Sequence, residues 1–268
     1  MDPMMTLTLS LCLIAQAPPT GEGKDDRAAR LEFMKTSLAA YDVHPAGDRA
    51  TTYRLQAEPV LRFTNPVGVS RDGAIFFWVG PDGRPEAAVQ AFLQRGGAWI
   101  HDFSSLATGP IVAETASGPV WTPGRGGAEF RPVPGAPVPA DQAEARLRQM
   151  RDLAGGFAVS DNFRENGWQA LRPMPRPFAR YGKPGSPLVD GAVFCFALGT
   201  DPEAYLILEA RPGKDGPAWQ FAFAPQTSYA LKASWKGQEV WTVPNRRPWT
   251  ATDPFYGRVL PDRGGNPR

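Results

Sequence analysis

The chain repeats one sequence pattern twice, and this repeat constrains its fold more than any other feature. Residues 29–34 recur as 145–150 at an offset of 116, and residues 72–76 recur as 190–194 at an offset of 118. Three more matches follow in the same order at offsets of 117 to 120: 85–87 with 202–204, 98–99 with 218–219, and 120–122 with 240–242. The offset changes only where Gly, Pro and Ser cluster, as it does when insertions fall in surface loops. The sequence therefore predicts two copies of one folded unit.

The repeat divides the 268 residues into two units of ordinary domain size. We assign residues 24–123 to the first unit, 140–244 to the second, and 245–268 to a polar, Pro-rich C-terminal tail. Residues 124–139 are rich in Pro and Gly. Their glycines lack the Lys-Ser/Thr ending of a phosphate-binding loop, so we interpret the segment as a stiff linker.

Each unit is predicted to begin with a helix and to continue with short strands. Apolar residues at three- and four-residue steps mark the helices, as in Leu31, Met34 and Leu38. Strand candidates are 53–63, 74–79, 87–93, 99–105, 111–114 and 120–121 in the first unit, and 168–181, 192–198, 204–210, 219–224, 229–234 and 239–243 in the second. Short connectors between them indicate hairpins. The predicted fold class is α+β, with each unit formed by one N-terminal helix packed on a curled antiparallel β-sheet.

Residues 4–17 form a short apolar run that ends in Ala-x-Ala before Pro18. This pattern is typical of a signal peptide, although Asp2 and the absence of a preceding Lys or Arg are not. The alternatives are a buried N-terminal strand or a misplaced start. We expect a signal peptide at residues 1–17 and an exported protein, periplasmic or extracellular; without that signal the protein is cytoplasmic. N-terminal sequencing of the exported protein should show cleavage after Ala17, and an intact Met1 in a cytoplasmic product would contradict this.

Composition and charge exclude several classes of partner. The net charge of +2 comes without a basic stripe, which argues against nucleic-acid binding. The mature chain has no apolar run long enough to cross a membrane, and we expect no integral membrane segment. Cys195 is the only cysteine after the leader, so it cannot form an internal disulfide. We interpret it as a small buried hydrophobic residue rather than a reactive thiol. The partner is left open as a small ligand or a protein.

Catalytic and metal-binding motifs are absent from the sequence. His44 and His101 are the only histidines, and they do not form a zinc-binding cluster, so no metal or cofactor is predicted. The most polar strand is residues 101–105, whose counterpart 221–225 is apolar. His101 and Ser105 share one strand face and are the candidate catalytic residues, while a half-exposed polar strand is the alternative. A buried His101 with converging polar side chains favours an enzyme; an exposed one favours a binding or structural role.

Trp121 and Trp241 lie at equivalent places near the ends of the two units. Because both copies keep the residue, we expect both side chains to belong to the core. Stacking on a sugar ring is the alternative for such aromatic faces.

Several segments together resemble a known family: residues 101–110, 146–151, 199–203 and 239–241. They are similar to an uncharacterised family of exported bacterial proteins of the planctomycete type. The resemblance covers most of the chain after the leader. It implies a bacterial source, and it brings no activity, cofactor or catalytic residue.

These observations favour an exported, non-catalytic binding or structural protein built from two duplicated α+β units. The alternative is a small-molecule enzyme, hydrolase-like in its chemistry, with a site in the first repeat around His101.

Overall fold

A computed structural model describes residues 24–65, 70–182, 188–214, 216–245, 248, 250–262 and 266–267. The predicted leader, residues 1–17, lies outside these ranges. The first half contains helix α1 (Lys24–Leu38) and strands β1 (Asp42–Pro45), β2 (Arg54–Leu55), β3 (Leu61–Phe63), β4 (Ser70–Val79), β5 (Pro85–Gln94), β6 (Trp99–Ser105), β7 (Ile111–Thr115) and β8 (Gly118–Trp121). Strand β9 (Arg131–Pro132) lies in the predicted linker.

The second half contains helix α2 (Ala143–Gly155), a short 3-10 turn (Phe163–Glu165) and the strands β10 (Phe157–Asp161), β11 (Gln169–Ala170), β12 (Arg172–Pro173), β13 (Ala179–Tyr181), β14 (Asp190–Leu198), β15 (Asp201–Gly213), β16 (Gly216–Pro225), β17 (Leu231–Trp235) and β18 (Gln238–Val243). The segment expected to be a polar tail contributes one more strand, β19 (Phe255–Val259).

The strands form four antiparallel sheets, arranged as a ring that resembles a four-bladed β-propeller. Sheet I has the order β1-β7-β8. Sheet II has the order β19-β6-β5-β4-β2, with β3 also paired to β4. Sheet III has the order β12-β14-β15-β16-β9, with β13 also paired to β14, and sheet IV has the order β11-β10-β17-β18.

The predicted α+β class is wrong. Strands make up 48% of the chain and helices 13%, with only two helices in the described part. The helices contribute little to the core: α2 buries Met150, Leu153 and Ala154. Strand β14 is buried along almost its whole length on both faces, because sheet IV packs on one face and sheet II on the other. Alternating apolar residues cannot show whether successive strands stay in one sheet or divide between two. In each half they divide between two sheets, and this gives a ring of four sheets instead of one helix-covered sheet per unit.

The repeat is visible in the strand register. Phe76 pairs with Val89 in the first half, and the equivalent Phe194 pairs with Leu206 in the second. The pairs Val43–Ala113 and Val159–Ala233 correspond in the same way. Matching register irregularities occur after Ala113 and Ala233. Each half therefore builds two corresponding sheets, with the same pairing between their longer strands.

Buried ion pairs repeat as well. The carboxylate of Asp72 binds Arg30 of α1 at 2.8 Å and Arg62 of β3 at 2.6 Å. The equivalent Asp190 binds Arg146 of α2 at 2.9 Å and Arg180 of β13 at 2.8 Å. Each aspartate thus attaches the helix of its half to the long sheet.

The two halves exchange a strand. Strand β9 follows the first half but pairs with β16 of the second, and β19 follows the second half but pairs with β6 of the first. Arg131 pairs with Phe221 and Arg258 pairs with His101, so the two exchanged strands occupy equivalent places. Each long sheet is therefore completed by the other half.

Three apolar cores separate the sheets. The first lies between sheets I and II beneath α1, and another lies between sheets III and IV beneath α2. The shared core, between sheets II and III, contains residues of both halves, including the buried Cys195. Burial raises the pKa of the Cys195 thiol well above its usual range. The prediction that both tryptophans belong to the core is confirmed for Trp121, which is 0% exposed, whereas Trp241 is partly buried and packs against the core of its half.

Within the described residues, neither helix has the length and apolar character that a membrane crossing requires.

Candidate functional site

His101 is buried in the core beneath α1 and lines no cleft among the described residues. Its ring hydrogen-bonds with Ser37 Oγ at 3.2 Å and with Tyr41 Oη at 3.0 Å, in the core beneath α1. Burial, helped by the charge of Arg258, lowers the pKa of His101 to about 3, so the ring is neutral. Polar groups do converge on it, as the enzyme alternative requires, but the ring is 0% exposed and offers a substrate no access.

Ser105 is also fully buried, and its hydroxyl accepts a hydrogen bond from the main-chain N–H of Gly127 at 3.2 Å. The structure does not bring Ser105 and His101 together through any hydrogen bond among the described residues. Ser105 instead fixes the segment after β8. The opposite face of β6, which carries Asp102, leads to a cleft between the two halves.

A buried ion-pair network lies on one side of the shared core, at the place equivalent to the cleft, and the two can be compared residue by residue. Arg84, just before β5, binds Glu209 of β15 at 2.8 Å and Glu86 at 2.7 Å, and donates to the carbonyl of Leu106 at 3.0 Å. The Tyr181 hydroxyl donates to Glu209 at 2.8 Å. Every charge in this network has a partner of opposite sign, and we call it the closed network.

The cleft lies where the repeat places the counterparts of the residues in this network. Tyr181 and Glu209 both pair with Gly191, and their counterparts Phe63 and Phe92 both pair with Gly73. At the same offsets the counterparts of Arg84, Glu86 and Leu106 are Asp201, Glu203 and Gln226. The arginine that neutralises the network is thus replaced by an aspartate, while the neighbouring glutamate is retained.

The cleft has a volume of about 210 Å³ and lies between β5, β6, the start of β15 and the loop 226–229. Asp201 is held by Gln90 Nε2 at 2.8 Å and by Asn65 Nδ2 at 3.3 Å. Gln226 donates to the carbonyl of Asp102 at 3.2 Å. These bonds cross between the halves and position Asp201 and Gln226 at the wall of the cleft.

Three buried oxygens of cleft-lining residues accept no hydrogen bond from the described residues: Gln90 Oε1, Gln226 Oε1 and Asp102 Oδ1. Both glutamine side chains are only 3% exposed. A buried acceptor without a donor is costly, by roughly 1–3 kcal/mol. The cleft is therefore short of hydrogen-bond donors.

Burial raises the pKa values of the carboxyl groups in and near the cleft, which favours their protonated forms. Burial, and then the nearby Asp201, raises the pKa of Asp102 to about 8. Burial raises the pKa of Asp201, and burial followed by Asp201 raises that of Glu203 well above its usual range, although a hydrogen bond with Thr227 acts in the opposite direction. Burial also raises the pKa of the nearby Asp161 to about 6.

Among the described residues, few positive charges offset these acids. Arg164 lines the cleft with its guanidinium over the ring of Phe163, and Arg71 and Arg95 line a neighbouring depression. Among the residues that the structure describes, no three His, Cys, Asp or Glu side chains converge so that they could hold a metal ion. The arrangement suits a ligand that donates several hydrogen bonds and carries positive charge.

Sequence reasoning missed this cleft because it searched each copy for known motifs. The signal was nevertheless present in the repeat. Pro85-Glu86 aligns with Pro202-Glu203, and the residue before each pair is Arg84 in one copy and Asp201 in the other. A charge reversal beside a retained glutamate marks a place where the two copies differ in their chemistry.

Comparison of the chain with protein-family models, curated proteins and solved structures finds no match.

Proposed function

We propose that the protein binds a small organic cation, an amine or a guanidinium, in the cleft between its halves. The observation that carries the proposal is the replacement of Arg84 by Asp201 at the equivalent position. In the closed network the Arg84 guanidinium is surrounded by two carboxylates and a carbonyl oxygen. In the cleft, Asp201, Glu203 and Gln226 provide comparable acceptors without the guanidinium.

The energetics favour the same ligand class. Buried carboxylates without a cation are unfavourable, and they retain their protons instead. A bound cation supplies the charge that lets them ionise, and its N–H groups satisfy the unpaired Oε1 atoms of Gln90 and Gln226. Charge-assisted hydrogen bonds of this kind are about twice as strong as neutral ones.

The dimensions of the cleft limit the ligand. A volume of about 210 Å³ is below the roughly 300–1,000 Å³ of pockets for drug-sized molecules. The rings of Phe163 and Tyr229 meet edge to face, with centroids 4.9 Å apart, and both line the cleft. An aromatic wall favours a cation with a short apolar chain.

Titration calorimetry with N-butylguanidinium and its neutral isostere N-butylurea tests the proposal. We expect the cation to bind saturably below about 10 mM and the urea at least tenfold more weakly. Affinity should rise as the pH approaches about 8, the pKa of Asp102 in the free protein, because binding favours the ionised carboxylate and releases its proton. Equal binding of both compounds would show that the positive charge is not recognised.

Two variants sharpen this test. Asp201→Asn should weaken binding of the cation by about tenfold or more, whereas Asp141→Asn, on the exposed surface, should leave it unchanged. Asp201→Arg places in the cleft the residue that the other copy has at that position. It should abolish binding in a variant that still folds, although its melting temperature should fall because Gln90 and Asn65 lose their acceptor. Binding that survives in a folded Asp201→Arg protein would contradict the proposal.

We infer acid–base hydrolysis as a second candidate function. Asp102 has a pKa of about 8, and a second carboxyl group, that of Asp201, lies near it. A protonated carboxyl at neutral pH can act as a general acid. This hydrolase hypothesis moves the site from His101 to the opposite face of β6. Turnover of a bound ester or glycoside that Asp102→Asn abolishes would support it; binding without turnover would favour the binding protein.

We further propose that the protein acts outside the cytoplasm. The support is the Ala-x-Ala pattern before Pro18 and the resemblance to exported bacterial proteins.

A further inference from the structure

A second pair of equivalent places differs between the halves, around Trp121 and Trp241. Trp121 is covered by residues 250–254. Its Nε1 donates to the carbonyl of Asp253 at 2.8 Å. The main-chain N–H groups of Thr122 and Gly124 donate to the carbonyls of Ala251, at 2.6 Å, and Thr252, at 3.3 Å. A peptide segment is thus held over this tryptophan through three of its main-chain carbonyls.

Trp241 has the same support, but none of the described residues covers it in the way that residues 250–254 cover Trp121. Its ring stacks on Phe223 with centroids 5.1 Å apart, as Trp121 stacks on Phe103 at 5.3 Å. A groove of about 390 Å³ opens beside Trp241. Within the described chain, the indole N–H of Trp241 has no hydrogen-bond acceptor. Strand β18 is the edge of sheet IV, so alternate N–H groups on it point away from β17.

The sequence explains why the chain leaves this groove open. The segment that would cover Trp241 precedes β9, but it runs instead toward the first half. There Ala128 N–H donates to the carbonyl of Ala107 at 3.0 Å. Gly126 and Gly127 permit this path, since a Cβ on Gly127 would lie 1.9 Å from the carbonyl oxygen of Ser105. The segment therefore cannot also follow β16.

Two prolines reinforce the difference. The N–H of Ser105 donates to the carbonyl of Pro254 at 2.8 Å, whereas the equivalent residue of the second half is Pro225, which has no N–H. Pro244 likewise replaces Gly124 and removes one of the three donors. The Trp241 indole and the Thr242 main chain remain as the counterparts of the other two.

We propose that the groove beside Trp241 binds a peptide segment of a partner protein that presents its main-chain carbonyls from a turn. The molecule itself identifies this occupant, because a turn covers the equivalent tryptophan in the first half, closed by a hydrogen bond from the Asp253 N–H to the carbonyl of Thr250 at 3.1 Å. The peptide's carbonyls accept hydrogen bonds from Trp241 Nε1 and Thr242 N–H. The exposed Arg125 and Glu239 line the groove without an ion-pair partner among the described residues, and they bind charged side chains of the segment.

A fluorescently labelled peptide with the sequence of residues 250–255, added to the intact protein, tests the proposal. Polarisation should show saturable binding with a Kd below about 1 mM. Trp241→Ala should weaken binding at least tenfold. Trp241→Phe, which keeps the ring and loses the N–H, should have an intermediate effect. Trp168→Ala is the matched control, because Trp168 is 46% exposed and lies outside the groove. It should bind as the unmodified protein does.

Melting temperatures of the variants establish that each is folded. Absence of saturable binding at about 1 mM peptide, or equal affinity in folded Trp241→Ala, would overturn the proposal. A peptide that loses affinity in Trp121→Phe but not in Trp241→Phe would be displacing the chain's own segment, and that result would also overturn it.

Discussion

Replacing Trp121 by alanine is expected to lower the free energy of unfolding by about 3–5 kcal/mol, because a large buried ring is lost and a cavity remains. Trp121 is 0% exposed, stacks on Phe103 and donates to the carbonyl of Asp253. Its removal also frees the segment that covers it. Urea denaturation of the purified variant measures the change.

Trp241→Ala is the matched comparison. Its ring is partly exposed beside an open groove, so it should cost clearly less than Trp121→Ala in the same measurement. Equal losses in the two variants would mean that Trp241 is packed as tightly as its counterpart. That outcome would contradict the open groove.

Glu209→Ala is expected to destabilise the protein by about 3–5 kcal/mol, because it leaves the buried guanidinium of Arg84 without one of its carboxylates. Glu209 is 0% exposed and accepts hydrogen bonds from Arg84, Tyr181 and Arg211. Burial raises the pKa of Tyr181 well above its usual range, so its hydroxyl stays protonated and needs this acceptor. The midpoint of thermal unfolding provides the measurement.

Two control variants show whether the loss of stability comes from the buried Arg84–Glu209 ion pair. Glu129→Ala removes an exposed carboxylate that also binds an arginine, and it should change stability by less than about 1 kcal/mol. Glu209→Gln should fall between Glu209→Ala and the unmodified protein, since the amide oxygen still accepts hydrogen bonds. A loss no larger than that of Glu129→Ala would show that Arg84 does not depend on Glu209.

The repeat in the sequence predicts much of the internal correspondence of the fold. Its offsets match the pairing of β4 with β5 and of β14 with β15. Both strands of a hairpin belong to the same copied unit, so their pairing is kept in both halves. The sheet assignment could not be predicted. Strands β6 and β7 follow one another in sequence but lie in different sheets, and apolar alternation is the same in both cases.

Aspartates beside glycine illustrate a second limit. Asp72-Gly73 and Asp190-Gly191 suggest turns, since both residue types favour them. In the structure these residues lie within strands. Each glycine makes room for an aromatic ring, and a Cβ on Gly73 would lie 2.5 Å from the ring of Phe63. The ring comes from another strand, so no local pattern shows the need for glycine.

The candidate site was only partly accessible to sequence reasoning. The choice of His101 followed from its chemistry, but residues of α1 and the following turn, Ser37 and Tyr41, cover it completely. The cleft acids come from β6 and β15, about one hundred residues apart, and they meet only because the shared core brings the halves face to face. The change from Arg84 to Asp201 becomes meaningful only when the two environments can be compared.

The exchange of β9 and β19 also bears on the origin of the chain. A single ancestral copy with one such trailing strand could not complete its own long sheet, but two identical copies could complete each other's. Such a protein would assemble as a symmetric pair of subunits, with two identical pockets and two identical covered tryptophans. Joining two such copies into one polypeptide would remove the requirement that both places stay alike. Independent mutation of two formerly identical surfaces would then leave one acidic cleft and one open groove.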